Sequence, residues 1–391
     1  MSKRKPGRLF FANPGPTNIP DSVLRAMDRP TIDFTADDFN EAYAVAIAGL
    51  KRVLHTKGEV FFYTASGHGA WEATLLNLFS PGDHILVPEG GYFPSAWGAM
   101  GERYGLKVEY LPCDWRRGID MAQLAARLAA DTGHSIKAIC AVHNETSTGV
   151  ALPLQEIRAA LDGCGHPALY LVDTISSLGC FAFKMDEWGI DAVVGGSQKG
   201  LMLPTGLAFT AAGPKAMQAH EKAKLPRFYF DWTMMMARPQ RSFVGSIPTA
   251  PFYGMIEAIR LIEQEGLEAL WARHHRLAEA TRLAVRIWAA NDGPQLYCTD
   301  PARVSDSVTT ILLPDGHDAD AFRKIALDRF NVSLGGGLGK LTNKVFRIGH
   351  LGDLNEPMIL GTLGVVEMSL GLAGIPHGKG GVAAAMAYLA G

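Results

Sequence analysis

The chain has 391 residues, 48% apolar and 19% charged, enough to bury a large core and too apolar for a disordered segment. Lysine plus arginine (37) nearly balance aspartate plus glutamate (39), leaving a formal charge of -2 that excludes a broad basic footprint for nucleic acid or an anionic membrane. No apolar run approaches the roughly 18 residues of a membrane span. The five scattered cysteines (Cys113, Cys140, Cys164, Cys180, Cys298) suggest neither a metal site nor a disulfide framework, so a reduced, cytoplasmic setting without metal is expected.

The first twenty residues, MSKRKPGRLFFANPGPTNIP, are basic at the start but lack the apolar core of a signal peptide. From about residue 58 to 212, apolar β-type runs alternate with helical patterns: EVFFYTAS, HILVPEGG, KVEYLPCD, IKAICAVHNE, ALYLVDTISS, IDAVVGGSQK and GLAFTAAG. Several carry apolar side chains at consecutive positions, as strands do when helices cover both faces of a sheet. Between them lie AWEATLLNLF, MAQLAARLAA and LQEIRAALDG, so the pattern predicts an α/β unit with a mainly parallel seven-stranded sheet flanked by helices. Beyond about residue 260 one long helical stretch, GMIEAIRLIEQEGLEALWARHHRLAEATRLAVRIWAA, leads into SVTTILLP, DADAFRKIALDRF, KVFRIGHL and a final helix near LNEPMILGTLGVVEMSLGLAG. This reads as a smaller α+β domain. The expected division is 21–265 for the large domain and 266–391, with residues 1–20, for the small one.

Ligands of open α/β sheets bind beyond the carboxyl ends of the strands, and four segments place polar residues there. Ser66-Gly67-His68-Gly69 precedes a helix expected to start near Ala70; its small residues leave backbone N–H groups open to an anion such as phosphate, or make an ordinary tight turn. Asp173, in LVDTISS, follows an apolar run, where a buried carboxylate needs a cationic partner such as a protonated pyridine, or caps the next helix. Lys199, in GGSQKG, sits in a polar turn of small residues, a setting in which desolvation makes an amine nucleophilic. Arg347, in FRIGH, lies within an apolar strand, where its fork either binds a carboxylate or closes an internal ion pair. Together these groups are the set that pyridoxal phosphate requires.

With the further stretches HNETSTGV, DEWGIDAVVGGSQKGLMLP, EQEGLEALWARHHRLAEATR and KVFRIGHLG, the chain resembles class V, fold-type I pyridoxal-phosphate aminotransferases, within them the serine–glyoxylate and alanine–glyoxylate group, over almost its whole length. The resemblance implies that Lys199 forms the Schiff base with the cofactor and Gln198 helps hold its phosphate. Asp173 would pair with the pyridine nitrogen, and Ser66, Gly67 and His68 would lie at the phosphate. Phe93 would stack on the ring, Thr146 would reach its hydroxyl side and the substrate, Ser177 would lie close by, and Arg347 would bind the substrate carboxylate. It also implies a homodimer whose partner contributes phosphate contacts.

Three places depart from the family pattern. Phe243 stands where the family often has a tyrosine that reaches the neighbouring cofactor, with Ser246 at the following threonine position; Phe34 and His68 depart from the stretches TIDH and SGTG common in relatives. The expected activity is transfer of an amino group from a small L-amino acid, serine or alanine, to glyoxylate or another small 2-oxo acid. Aspartate–glyoxylate transfer, another class V reaction (desulfurase or lyase) and a non-enzymatic binding role are the alternatives. A desulfurase needs a reactive cysteine after the lysine, and only Cys298 follows it, without a basic neighbour.

Overall fold

A computed structural model describes residues 7–238 and 243–391. In chain order its strands are β1 (Phe10–Ala12), β2 (Glu59–Ala65), β3 (His84–Glu89), β4 (Lys107–Pro112), β5 (Ile136–Val142), the short hairpin β6 (Asn144–Glu145) and β7 (Val150–Ala151), β8 (Leu169–Asp173), β9 (Ala192–Gly196) and β10 (Gly206–Ala212). The last four are β11 (Gln295–Leu296), β12 (Val308–Leu312), β13 (Val332–Gly336) and β14 (Val345–Gly349). Seven of these build one sheet in the order β2-β10-β9-β8-β5-β3-β4, parallel except for β10, which runs antiparallel to both β9 and β2. All seven expected runs therefore enter this sheet. Every residue of β8 and β9 is buried, which explains their unbroken apolar character.

Helices cover both faces, and their sequences show why they form. Met121–Ala130 buries Leu124 and Leu128 on one face, and Asp120 caps it by accepting from the N–H groups of Ala122 and Gln123. Ala319–Phe330 is started in the same way by Asp318 and ended by Asn331 in the left-handed conformation. The long helical stretch predicted after residue 260 is two helices, Thr249–Glu265 and Leu267–Trp288, separated at Gly266. Its φ of +84° is left-handed backbone that halts one helix, and the next begins at once.

The second sheet, in the order β1-β13-β14-β12-β11, packs against the helices Leu267–Trp288, Ala319–Phe330, Glu356–Leu372 and Gly381–Ala390 around Trp288, Phe322 and Phe346. Its edge strand β1 comes from the beginning of the chain and pairs in parallel with β13, Phe10 opposite Val332. Immediately after β1 the chain runs to the carboxyl end of the large sheet.

Candidate active site

The carboxyl ends of β2, β3, β5, β8 and β9 share one edge, and a cavity of about 130 Å³ opens there. Ser66, Gly67 and His68 line it after β2, Phe93 after β3, Asn144 and Thr146 after β5, Asp173, Ile175 and Ser176 at β8, and Gln198 and Lys199 after β9, with Trp71 behind. Of the residues expected from the sequence, Ser66, Gly67, His68, Phe93, Thr146, Asp173, Gln198 and Lys199 thus meet at one cavity. Ser177 does not line it; its buried hydroxyl has no partner among the described residues, and its neighbour Ser176 faces the cavity instead. Ser246 is exposed and does not line the cavity. Phe243 is buried against Phe252, their ring centroids 6.0 Å apart.

Asp173 ends β8 with its carboxylate buried. One oxygen accepts the indole N–H of Trp71 at 2.8 Å, the other the backbone N–H of Ile175 at 2.6 Å. Burial dominates and lifts the carboxyl to about 7, while these two bonds pull it down and the charge of Glu145 pushes it up. Lys199 moves the opposite way: burial, helped by the charge of Arg347, lowers its amine to about 8. The segment following β1 closes over this lysine. Its Nζ donates to the carbonyl of Pro14, and Thr17 donates through its hydroxyl to the Lys199 carbonyl at 3.1 Å. Glycine is favoured at position 15, whose φ of +118° is left-handed backbone and where a Cβ would fall 2.0 Å from Lys199 Nζ and displace that side chain.

Arg347, in the middle of β14, is buried, and two of its donors hold backbone carbonyls: Nε that of Gly336 at 2.7 Å and Nη1 that of Thr146 at 2.8 Å. Desolvation lowers its pKa to about 10 and the charge of Glu145 partly offsets this, so it stays cationic at neutral pH. Arg347 does not line the cavity itself; the Thr146 turn joins the two. His68 stands at the exposed mouth, and partial burial lowers its pKa.

The family model "Aminotransferase class-V" matches residues 9–341. The chain belongs to the class V aminotransferases. It is 42% identical to the L-aspartate–glyoxylate aminotransferase of Paracoccus denitrificans, over 96% of this chain and 94% of that one. It is also 42% identical to the serine–glyoxylate aminotransferase of Methylorubrum extorquens, over 99% and 97%. Among solved structures, the ureidoglycine–glyoxylate aminotransferase of Bacillus subtilis superposes with a TM-score of 0.91 at 26% identity, covering 100% of both chains.

A class V aminotransferase works with pyridoxal phosphate, and this cavity fits that cofactor. Asp173 is a buried carboxyl held off its ordinary pKa chiefly by burial, the environment in which a cationic ring nitrogen is a good partner. The helix Gly67–Leu78 starts at the cavity rim with no side-chain cap at Ser66, leaving first-turn N–H groups for an anion. Gln198 Oε1 and Asn144 Oδ1 are buried there without partners among the described residues. Four contributors were not singled out from sequence. Trp71 fits an apolar helix pattern, Glu145 and Asn144 lie in the HNETSTGV stretch with no local sign of their roles, and the Pro14 carbonyl is a backbone group that no side-chain pattern reveals.

Proposed function

We propose that the chain transfers the amino group of a small L-amino acid, serine or alanine, to glyoxylate or another small 2-oxo acid. The observation that carries this reading is the meeting of Lys199, Asp173 and the Arg347-anchored Thr146 turn at one cavity. Glyoxylate as acceptor is supported by the names of all three relatives above, which differ only in the donor. Aspartate is the second donor reading, favoured by the Paracoccus relative at equal identity.

Bound pyridoxal phosphate supplies an aldehyde that condenses with amines and a ring that takes up electron density from the substrate Cα. Ser66, Gly67, His68 and Gln198 would hold its phosphate, Phe93 would stack on its ring and Thr146 would reach its hydroxyl side. Asp173, fixed by Trp71 and Ile175, would keep the ring nitrogen protonated. Arg347 would bind the substrate carboxylate through donors not engaged by Gly336 and Thr146. Lys199 Nζ, lowered to about 8, has a substantial free-base fraction near neutral pH and would take the proton from the substrate Cα. Proton transfer by such a positioned group is worth about 10²–10⁴-fold in rate.

The division into 21–265 and 266–391 with 1–20 is supported by the two sheets and by the pairing of β1 with β13. A homodimer is supported by the family likeness, with the exposed Ser246 free to serve a neighbouring subunit's phosphate. Five free thiols support a cytoplasmic setting, and no helix among the described residues is long and apolar enough to cross a membrane. Cys298 is buried and burial raises its thiol pKa, which disfavours a desulfurase.

The test is a spectrum of the cofactor-loaded enzyme while serine, alanine, aspartate and glycine are added in turn, followed by glyoxylate. The true donor should abolish the visible absorption of the bound cofactor, and glyoxylate should restore it with release of glycine. A band that no donor shifts would overturn the transaminase reading.

A further inference from the structure

Glu145 is a buried acid that the reaction above does not use. One of its carboxylate oxygens accepts the backbone N–H of Phe93 at 2.9 Å, the other that of Ser147 at 2.7 Å. Both oxygens are thus engaged as acceptors; burial raises the pKa of this carboxyl, and the bonds from Ser147 and Phe93 pull it back. The Phe93 bond matters because Phe93 is the second residue of the helix Tyr92–Arg103, whose N-cap is Gly91 and which has no cap side chain of its own. Its first N–H, that of Tyr92, is met by the Ser147 hydroxyl at 3.2 Å. The helix is therefore capped from another part of the chain, by Glu145 at the end of β6 and Ser147 in the turn that follows. Gly91 makes room for this, since a Cβ there would lie 2.2 Å from Glu145 Cγ.

The residue between the two caps is Thr146. Its carbonyl receives Arg347 Nη1 and its hydroxyl donates to Ser176 Oγ at 2.7 Å. Three consecutive residues thus hold the backbone start of the helix that carries Phe93, the guanidinium of Arg347 and the loop after Asp173. A carboxylate at a helix N-terminus is also favoured by the helix dipole, and the Arg347 charge offsets a small part of the burial that raises its pKa.

We propose that Glu145 is a positioning residue: as the external cap of the Phe93 helix it fixes that ring over the cavity, in register with the Thr146 turn that anchors Arg347. The proposal rests on the cofactor reading above for the role of the ring, while the cap itself can be measured without cofactor. The test uses the full-length Glu145→Gln variant. An amide cannot accept from both N–H groups, so in cofactor-free protein the Phe93 or Ser147 amide should exchange with deuterium at least about tenfold faster, amides of the distant helix Met121–Ala130 staying unchanged. Titration with pyridoxal phosphate should show a dissociation constant raised by about tenfold.

Asp120→Ala is the comparison, because it removes a helix cap far from the cavity and should lower the melting temperature without moving either readout. Gly91→Ala provides a second route, pushing the carboxylate off the Phe93 N–H without changing its charge, and should reproduce both effects. Wild-type exchange or wild-type cofactor affinity in Glu145→Gln would overturn the proposal, as would equal effects from Asp120→Ala. A wild-type chain that binds no cofactor would instead overturn the functional reading, and amide exchange alone would then decide whether Glu145 is the cap.

Discussion

Replacing Asp173 by asparagine should stabilise the cofactor-free protein at pH 8 and destabilise it at about pH 3.5. Burial lifts this carboxyl from an ordinary 3.8 to about 7, roughly a thousandfold in proton affinity, or about 4 kcal/mol. The sign follows from proton counting. Between about pH 4 and 7 the folded chain keeps a proton that the unfolded chain has released, so stability falls as pH rises across that window and the full cost stands above 7. Asparagine never carries the charge and escapes this cost. It does place an amino group against one of two donors, Trp71 Nε1 or the Ile175 N–H, and leaving that donor unpaired costs about 1–3 kcal/mol. Above pH 7 the balance favours the variant by roughly 1–3 kcal/mol, and at about pH 3.5, where Asp173 is largely neutral folded and unfolded alike, only a loss remains. Thermal unfolding of cofactor-free wild type and variant from about pH 3.5 to 8 should show the two melting curves exchanging order, by a few degrees at most. A difference of the same sign and size at every pH would refute the claim that burial dominates this carboxyl. With cofactor and substrate present the same variant should turn over at least about a hundredfold more slowly, since an amide cannot hold the ring nitrogen protonated.

Arg347→Lys keeps the charge but loses the planar fork that now grips Gly336 and Thr146, so the Michaelis constant for the amino donor should rise about tenfold or more; an unchanged constant would place the carboxylate elsewhere. The amine of Lys199 is lowered to about 8, so the rate at which cofactor-free enzyme captures pyridoxal phosphate should climb with pH and level off above about 8. Stopped-flow absorbance would check this, and a rate still rising steeply at pH 10 would show an amine with the ordinary value of 10.5.

What the sequence made legible were groups whose setting is local. Asp173 and Lys199 each follow a strand whose buried character is written in consecutive apolar residues, and topology does the rest by bringing those strand ends together. The Ser66–His68 turn is legible for the same reason. Glu145 was not, because its meaning depends on an N–H of Phe93, 52 residues earlier in the chain and on a different element. Trp71 had a sufficient explanation as an apolar helix residue, and nothing in its neighbours shows that its indole N–H meets Asp173 102 positions later. The helix break at Gly266 shows a different limit. A glycine inside a helical pattern is often tolerated, and only the left-handed φ distinguishes a break from a weak spot.

The strap over Lys199 also bears on the order of events during synthesis. Residues 10–12 leave the ribosome well before their partners in β13, 322 positions downstream, and the side chain of Asn13 reaches Ser333 across a separation of 320. At about 5–20 residues per second the segment waits roughly 15–65 s for its strand. Through that interval the large sheet can assemble while its lysine stands uncovered, so nascent chains that end before Val332 should present an amine open to any aldehyde in solution. The covering of this lysine is thus completed late, when β13 emerges to hold the segment after β1 in place.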